Sequence, residues 1–271
     1  MSNDYCNYYN LTSTFHGSML NIMWTRFDIV IIGTDKGIVE NVWSEIVCEL
    51  KRLDKMLNCH DPESELAIIN LEAIENPTKL GDEMWDILID CKRFYELTKG
   101  LFDVTMNDLS KIVFDENNHS IFFSQRDLSI NLGGYAKGYA VEKVNKILKR
   151  ENIQNAFIDF GNSSVLGVGR HPYGDSWMVS VEDPYRDGEV LGDFKLKDRA
   201  LSTSGNLPNH TGHIYNTLSR LYNEERKIAC VIADNSLTAE VLSTTMIIAS
   251  SDQRDEIMSN FCIEKLLIYN V

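Results

Sequence analysis

The stretch from Ala156 to Ser204 restricts the fold more than any other part of the chain. Five β-rich runs follow one another there, at Ala156–Phe160, Val165–Val168, Trp177–Val181, Val190–Leu196 and Ala200–Ser204. Their spacing of about ten residues, with Gly, Asn and Pro in the gaps, predicts an antiparallel meander. On either side the apolar period changes. Val39, Val42, Trp43, Ile46, Leu50, Leu53 and Leu57 recur at three- and four-residue steps, as do Met84, Trp85, Leu88, Cys91 and Tyr95 ahead of a Gly100 C-cap. A third helix is predicted from about Ala136, with Ala140, Val144, Ile147 and Leu148 on one face, and a fourth over Leu237–Ser250. Shorter runs at Phe27–Gly33, Ser120–Phe123, Leu128–Leu132, Ile228–Ala233 and Leu266–Tyr269 read as further strands. Long helices between strand clusters predict an α+β chain with a largely antiparallel sheet and helices packed on it. No linker, repeat or low-complexity tract interrupts it, so residues 1–271 are read as one domain.

Charge removes whole classes of function. With 26 Lys plus Arg against 40 Asp plus Glu, the net charge is −14, which opposes nucleic acid and anionic membrane. A phosphate-bearing ligand would then need a bound cation or a local cluster of backbone N–H groups. The six cysteines form no CxxC pair and are read as reduced, buried small hydrophobes. The opening MSNDYCNYYN lacks the basic flank and apolar run of a signal peptide, and no apolar run reaches the roughly 18 residues of a membrane span. These features predict a cytoplasmic protein.

Three segments carry candidate chemistry. In Asn131 to Ala140 (NLGGYAKGYA) a β-like run passes through Gly133 and Gly134 into a helix, so backbone can approach a ligand and helix N–H groups can meet an anion. Lys137 in the first turn opposes the helix dipole unless an anion sits beside it; a plain tight turn with a solvated Lys is the other reading. Glu240 and Thr244 are four apart on the late helix and so share a face, a carboxylate and a hydroxyl suited to a hard cation. A rim Glu with a Thr bonded back to its own helix would give the same letters. Third, Leu201-Ser202-Thr203-Ser204-Gly205-Asn206 leads to His210-Thr211-Gly212-His213, hydroxyls, a flexible Gly and imidazoles in one loop.

The order of these segments resembles the ApbE-like family, the FAD:protein FMN transferases. Leu57 to Asn70 resembles its Pro and Ser-Glu-Leu segment, Gly100 to Thr105 its G-x-F-D-x-T block, and Asn131 to Ala140 its D-L-G-G-x-A-K-G-Y-A. Trp177 to Pro184 resembles W-x-V-x-I-E-D-P, Thr203 to Asn206 the T-S-G block, and Ala239 to Thr244 the A-D-A-L-S-T helix. The resemblance implies a T-fold-like architecture binding FAD, with His60, Leu101, Phe102, Asp103, Asn131, Gly133, Lys137, Ser204 and Gly205 along the ligand. It implies Mg²⁺ held by the Gly134 carbonyl, Glu240 and Thr244, and His213 as the base. The implied reaction moves FMN from FAD to a Ser or Thr hydroxyl of an acceptor flavoprotein and releases AMP. FAD hydrolysis by water, or flavin binding without catalysis, are the alternatives. Several positions depart from the family pattern: Asn131 and Glu240 stand for Asp, His60 for the stacking aromatic, Asn216-Thr217 for Asp-Pro, and Gly161-Asn162-Ser163 for Gly-Gly-Asp.

Overall fold

Alternation builds the sheet and 3.6-residue periodicity covers it. A computed structural model describes residues 4–208, 212, 214–217 and 219–271. Its main sheet holds β1 (Asp4–Tyr9), β2 (Thr14–Ile22), β3 (Thr25–Ile32), β7 (Ala156–Phe160), β8 (Ser164–Val168), β11 (Arg199–Gly205), β14 (Lys227–Ala233) and β15 (Ile263–Asn270) in that spatial order. Every pairing in it is antiparallel. In β3, Phe27, Ile29 and Ile31 are buried and their neighbours are less so, the period of two that a one-sided sheet requires. Between β3 and β7 the chain forms α1 (Lys36–Leu57), α2 (Glu65–Glu72), β4 (Thr78–Lys79), α3 (Asp82–Leu97), β5 (Ile112–Asp115), β6 (Ser120–Phe123) and α4 (Ala136–Arg150). Strands β4, β6 and β5 make a small sheet of their own. Helix α1 starts at an Asp35 cap and buries Val39, Trp43, Ile46, Leu50 and Leu53 along one stripe. Helix α4 packs between α1 and α5 (Ser236–Ile248), and α5 lies on β11 and β14.

The predicted meander is interrupted. Strand β11 already pairs with β8 on one side and β14 on the other, so no ladder is open to β9 (Trp177–Glu182) and β10 (Val190–Leu196). They pair with each other instead, and Trp177, Phe194 and Leu196 bury in a second apolar cluster with Leu201 and Ile228. Leu128–Leu132 is not a strand. The Asn70 side chain accepts from the Ile130 N–H and donates to the Ile130 carbonyl, and the Asn131 N–H goes to Val104, which replaces a strand partner. The last predicted helix stops at Ile248, because Ser250 opens α6 (Ser251–Met258) with a capping box to Gln253. After α3 it is Lys99 that first turns left-handed (φ 55°), and Gly100 follows with its N–H on the Tyr95 carbonyl. Only Cys91 and Cys230 of the six free cysteines are buried; Cys6, Cys48 and Cys262 are exposed. Short strands β12 (Tyr215–Asn216) and β13 (Leu221–Tyr222) complete the described elements.

The β2–β3 hairpin turns through Met23 and Trp24, both at positive φ (46° and 62°). Such two-residue turns favour Gly and Asn, so a tryptophan there is unusual. No described helix is long and apolar enough to cross a membrane.

Candidate active site

A cleft of about 1040 Å³ opens between the sheet and helices α4 and α5. That is the upper end of the roughly 300–1,000 Å³ typical of small-molecule sites. The Leu101–Val104 segment, Asn131, Gly133, Gly134 and Lys137 line one side. Asp159, Val165, Thr203, Ser204 and Gly205 line the sheet side, the turn between β9 and β10 another, and Glu240 and Thr244 the floor.

The glycine turn is built by its own asparagine. Asn131 Oδ1 accepts from the Gly133 N–H at 2.9 Å, and the Tyr135 and Ala136 N–H groups go back to the Leu132 carbonyl. An Asp could make the same bond, so Asn131 keeps the turn and withdraws a negative charge from the cleft. No side chain caps α4, and Gly134 and Lys137 at its start line the cleft.

Gly138 decides what Lys137 meets. A Cβ there would stand 2.8 Å from Glu240 Cβ and from the Ser236 carbonyl, so α4 and α5 cross at contact distance only because the residue is glycine. The crossing puts the Lys137 ammonium on Glu240 Oε1. Glu240 is 3 % exposed. Its other oxygen, Oε2, accepts from Ser164 and from Ser202, the latter at 3.0 Å. Ser164 and Ser202 are directly opposed in the β8–β11 pair, and that register aims both hydroxyls at one carboxylate. The hydroxyls continue: Ser202 to Ser243 at 2.9 Å, Ser243 to Ser204 at 2.8 Å, and Ser204 to Thr244 at 3.2 Å. Thr244 faces the glycine turn, since a Cβ on Gly134 would lie 3.9 Å from its Oγ1.

Among the described residues no three His, Cys, Asp or Glu side chains form a metal cage. Glu240 and Thr244 nevertheless present a carboxylate and a hydroxyl to the cleft beside Gly134, and a cation, the ammonium of Lys137, already sits at that carboxylate. These donors fit a hard divalent ion that draws its remaining oxygens from ligand or water.

The other predicted residues fall into three groups. Leu101 and Phe102 are buried in the cleft wall. Asp103 is spent on its own loop: Oδ1 accepts from the Thr105 N–H and hydroxyl at 2.7 and 2.6 Å, and Oδ2 from the Leu109 N–H at 2.9 Å. His60 is exposed and lies in an adjoining pocket of about 300 Å³ that shares Asn131, Gly133 and Lys137 with the cleft. There Trp24 meets its ring edge to face at 6.2 Å. Burial pushes up the Asp54 carboxyl and the Cys59 thiol beside it. His213 lies outside the described residues. Among the described residues, the buried Asn206 accepts from the Gly212 N–H and donates to the carbonyls of Asn223 and Glu225, and Thr217 donates to the Gly100 carbonyl at 2.7 Å. Sequence reading missed Ser164 and Trp24; Ser202, Ser243 and Asn206 lay inside the candidate segments with no role of their own. That Ser164 and Ser202 share a carboxylate could be found only by knowing the β8–β11 register.

Residues 23–120 and 107–266 match the model of the ApbE family. The FAD:protein FMN transferase of Chlamydia pneumoniae is 25% identical over 231 residues, 74% of this chain and 70% of that protein. Its counterpart of the same name in Haemophilus influenzae is 22% identical, covering 80% of this chain and 75% of that protein. Among solved structures, the flavin transferase ApbE from Vibrio cholerae superposes with a TM-score of 0.80 at 18% identity, over 95% of this chain and 93% of that one. The ApbE protein from Thermotoga maritima gives 0.77 at 22% identity, over 88% of each chain.

Proposed function

The chain belongs to the ApbE family, and from that premise we propose that it moves the FMN half of FAD to a Ser or Thr hydroxyl of an acceptor protein, with Mg²⁺ at the Gly134–Glu240–Thr244 corner. One observation carries this reading. A single cleft joins the uncapped start of α4, which suits a pyrophosphate, to the carboxylate and hydroxyl of Glu240 and Thr244 one helix away, which suit the cation a pyrophosphate brings.

Lys137 and the α4 N–H groups hold the pyrophosphate, while Leu101 and Phe102 pack along the ligand and Asp103 fixes their loop. His60 offers a flat ring to stack on. The Mg²⁺, when bound, withdraws electron density from the phosphorus next to FMN. The acceptor hydroxyl oxygen bonds to that phosphorus as the bridging P–O bond to AMP breaks. The bonding pair leaves with AMP, and the hydroxyl proton passes to His213, the imidazole that the family resemblance assigns as base. FMN remains in a phosphoester link. Six unpaired cysteines suit a reducing compartment, which supports placing this chemistry in the cytoplasm.

The test is to incubate the protein with FAD, Mg²⁺ and a candidate acceptor, then weigh the acceptor. It should gain one FMN phosphoryl group for each AMP released. AMP and free FMN with an unmodified acceptor would make water the nucleophile and the protein a pyrophosphatase. In the same assay His213→Ala should slow AMP release by about 10²–10⁴ at saturating FAD, with FAD affinity little changed.

A further inference from the structure

Glu240 has two oxygens, and they are not equivalent. Oε2 is held by the hydroxyls of Ser164 and Ser202, both fixed by opposed positions in the sheet. Oε1 takes no hydroxyl; among the described residues it meets the ammonium of Lys137 alone. A metal ion approaching this carboxylate must therefore take the oxygen that Lys137 already occupies. The lysine has somewhere else to go. Its side chain keeps 21% exposure and lines both the main cleft and the pocket of Trp24 and His60. It also starts a helix whose dipole disfavours a cation unless an anion arrives.

We propose that Lys137 is a resident counter-cation that determines which ligands can load the metal site. It keeps a divalent ion off Glu240 until a phosphate-bearing flavin draws the ammonium into the cleft. This rests on the metal assignment made above and adds a rule of order to it. A flavin without phosphate leaves Lys137 on Glu240 and the site closed. A diphosphate both removes the lysine and offers oxygens to the incoming ion. Because coupling between two ligands is reciprocal, the metal must tighten FAD by the same factor that FAD tightens the metal.

The experiment titrates Mn²⁺ into the whole protein and reads free Mn²⁺ by its paramagnetic resonance signal, with no ligand, with riboflavin, or with FAD. The unmodified protein should bind Mn²⁺ about tenfold or more tighter with FAD than without, and riboflavin should give no gain. Lys137→Met, with Lys137→Gln as a second form, should bind Mn²⁺ in the absence of flavin about tenfold tighter than the unmodified protein does. Lys137→Arg should stay closed. Tight Mn²⁺ binding by the unmodified protein without FAD would overturn the proposal, even should both neutral variants fail to fold. Folded neutral variants that gain no flavin-free affinity would also overturn it, because the FAD effect would then come from phosphate oxygens alone, and the metal assignment would survive. Glu240→Gln binding Mn²⁺ as tightly as the unmodified protein in FAD would remove the metal assignment itself, and this inference with it.

Discussion

Two carboxylates in this protein each draw a lysine from α4, and they are served very differently. Glu83, in the first turn of α3, meets Arg52 at 2.7 Å, the Tyr139 hydroxyl at 2.8 Å, and Lys143. Burial alone would raise its pKa, but those hydrogen bonds hold it down at about 2. Two cations meet Glu83 there, Arg52 being shared with Glu49 at 2.8 Å, and they tie α1, α3 and α4 together. Glu240 has one cation and otherwise neutral hydroxyls. Hydroxyls can turn to donate or accept, so the second arrangement can change partners without stranding a charge. A carboxylate gripped by two cations makes a fastener, whereas a single cation among hydroxyls leaves room for exchange.

Substituting each carboxylate in turn puts the strongest strain on that distinction. Glu240→Gln should lower metal-dependent FAD turnover by roughly 10²–10³, since a metal's polarising effect is worth several kcal/mol and each 1.36 kcal/mol is tenfold in rate. Glu83→Gln should leave turnover within about twofold of the unmodified rate. Equal losses in steady-state AMP release would end the comparison. Next in size, Gly138→Ala should destabilise the protein by about 1–3 kcal/mol in denaturant melts, because the new methyl meets backbone of α5 rather than a movable side chain. An unchanged midpoint would mean that α4 and α5 are not locked at the crossing that unites Lys137 with Glu240. The smallest effect is on acid stability. A carboxyl lowered from 4.5 to about 2 contributes stability that is fully present above pH 4.5 and lost as pH falls toward 2. Glu83 is partly solvated, so screening cuts that contribution to about 1 kcal/mol. Glu83→Gln should therefore flatten stability between pH 4.5 and 2, measured by melts at stepped pH. A variant with the same acid slope as the unmodified protein would show that Glu83 is not the fastener.

What could be read from the letters followed the distance between partners. Asn131, Gly133, Gly134 and Lys137 are neighbours in sequence, and a glycine pair running into an apolar helix pattern marks them. Glu240 and Thr244 show one helical turn of spacing. The pairing of Lys137 with Glu240 joins residues 103 positions apart through the crossing at Gly138, and no local pattern announces it. Ser164 and Ser202 become partners only through strand register, 38 residues apart, and look like ordinary β-edge polar residues. Leu128–Leu132 carried a strand's composition, yet the Asn70 side chain took the place of a strand. The β9–β10 hairpin left the sheet because both edges of β11 were already taken. Local chemistry was legible, and long-range pairing was not.

The hairpin turn at Met23 and Trp24 gives the molecule an optical consequence. Three of the four tryptophans, Trp43, Trp85 and Trp177, are 5–6 % exposed, whereas Trp24 is 81 % exposed. Ultraviolet emission should therefore divide into a blue component from the core and a red component from this one indole in water. Trp24 also borders the pocket that holds His60 and shares Lys137 with the cleft, so a bound flavin would lie within energy-transfer range of it. The red edge of the spectrum is thus a built-in gauge of cleft occupancy, carried by a residue at a backbone angle that tryptophan seldom adopts.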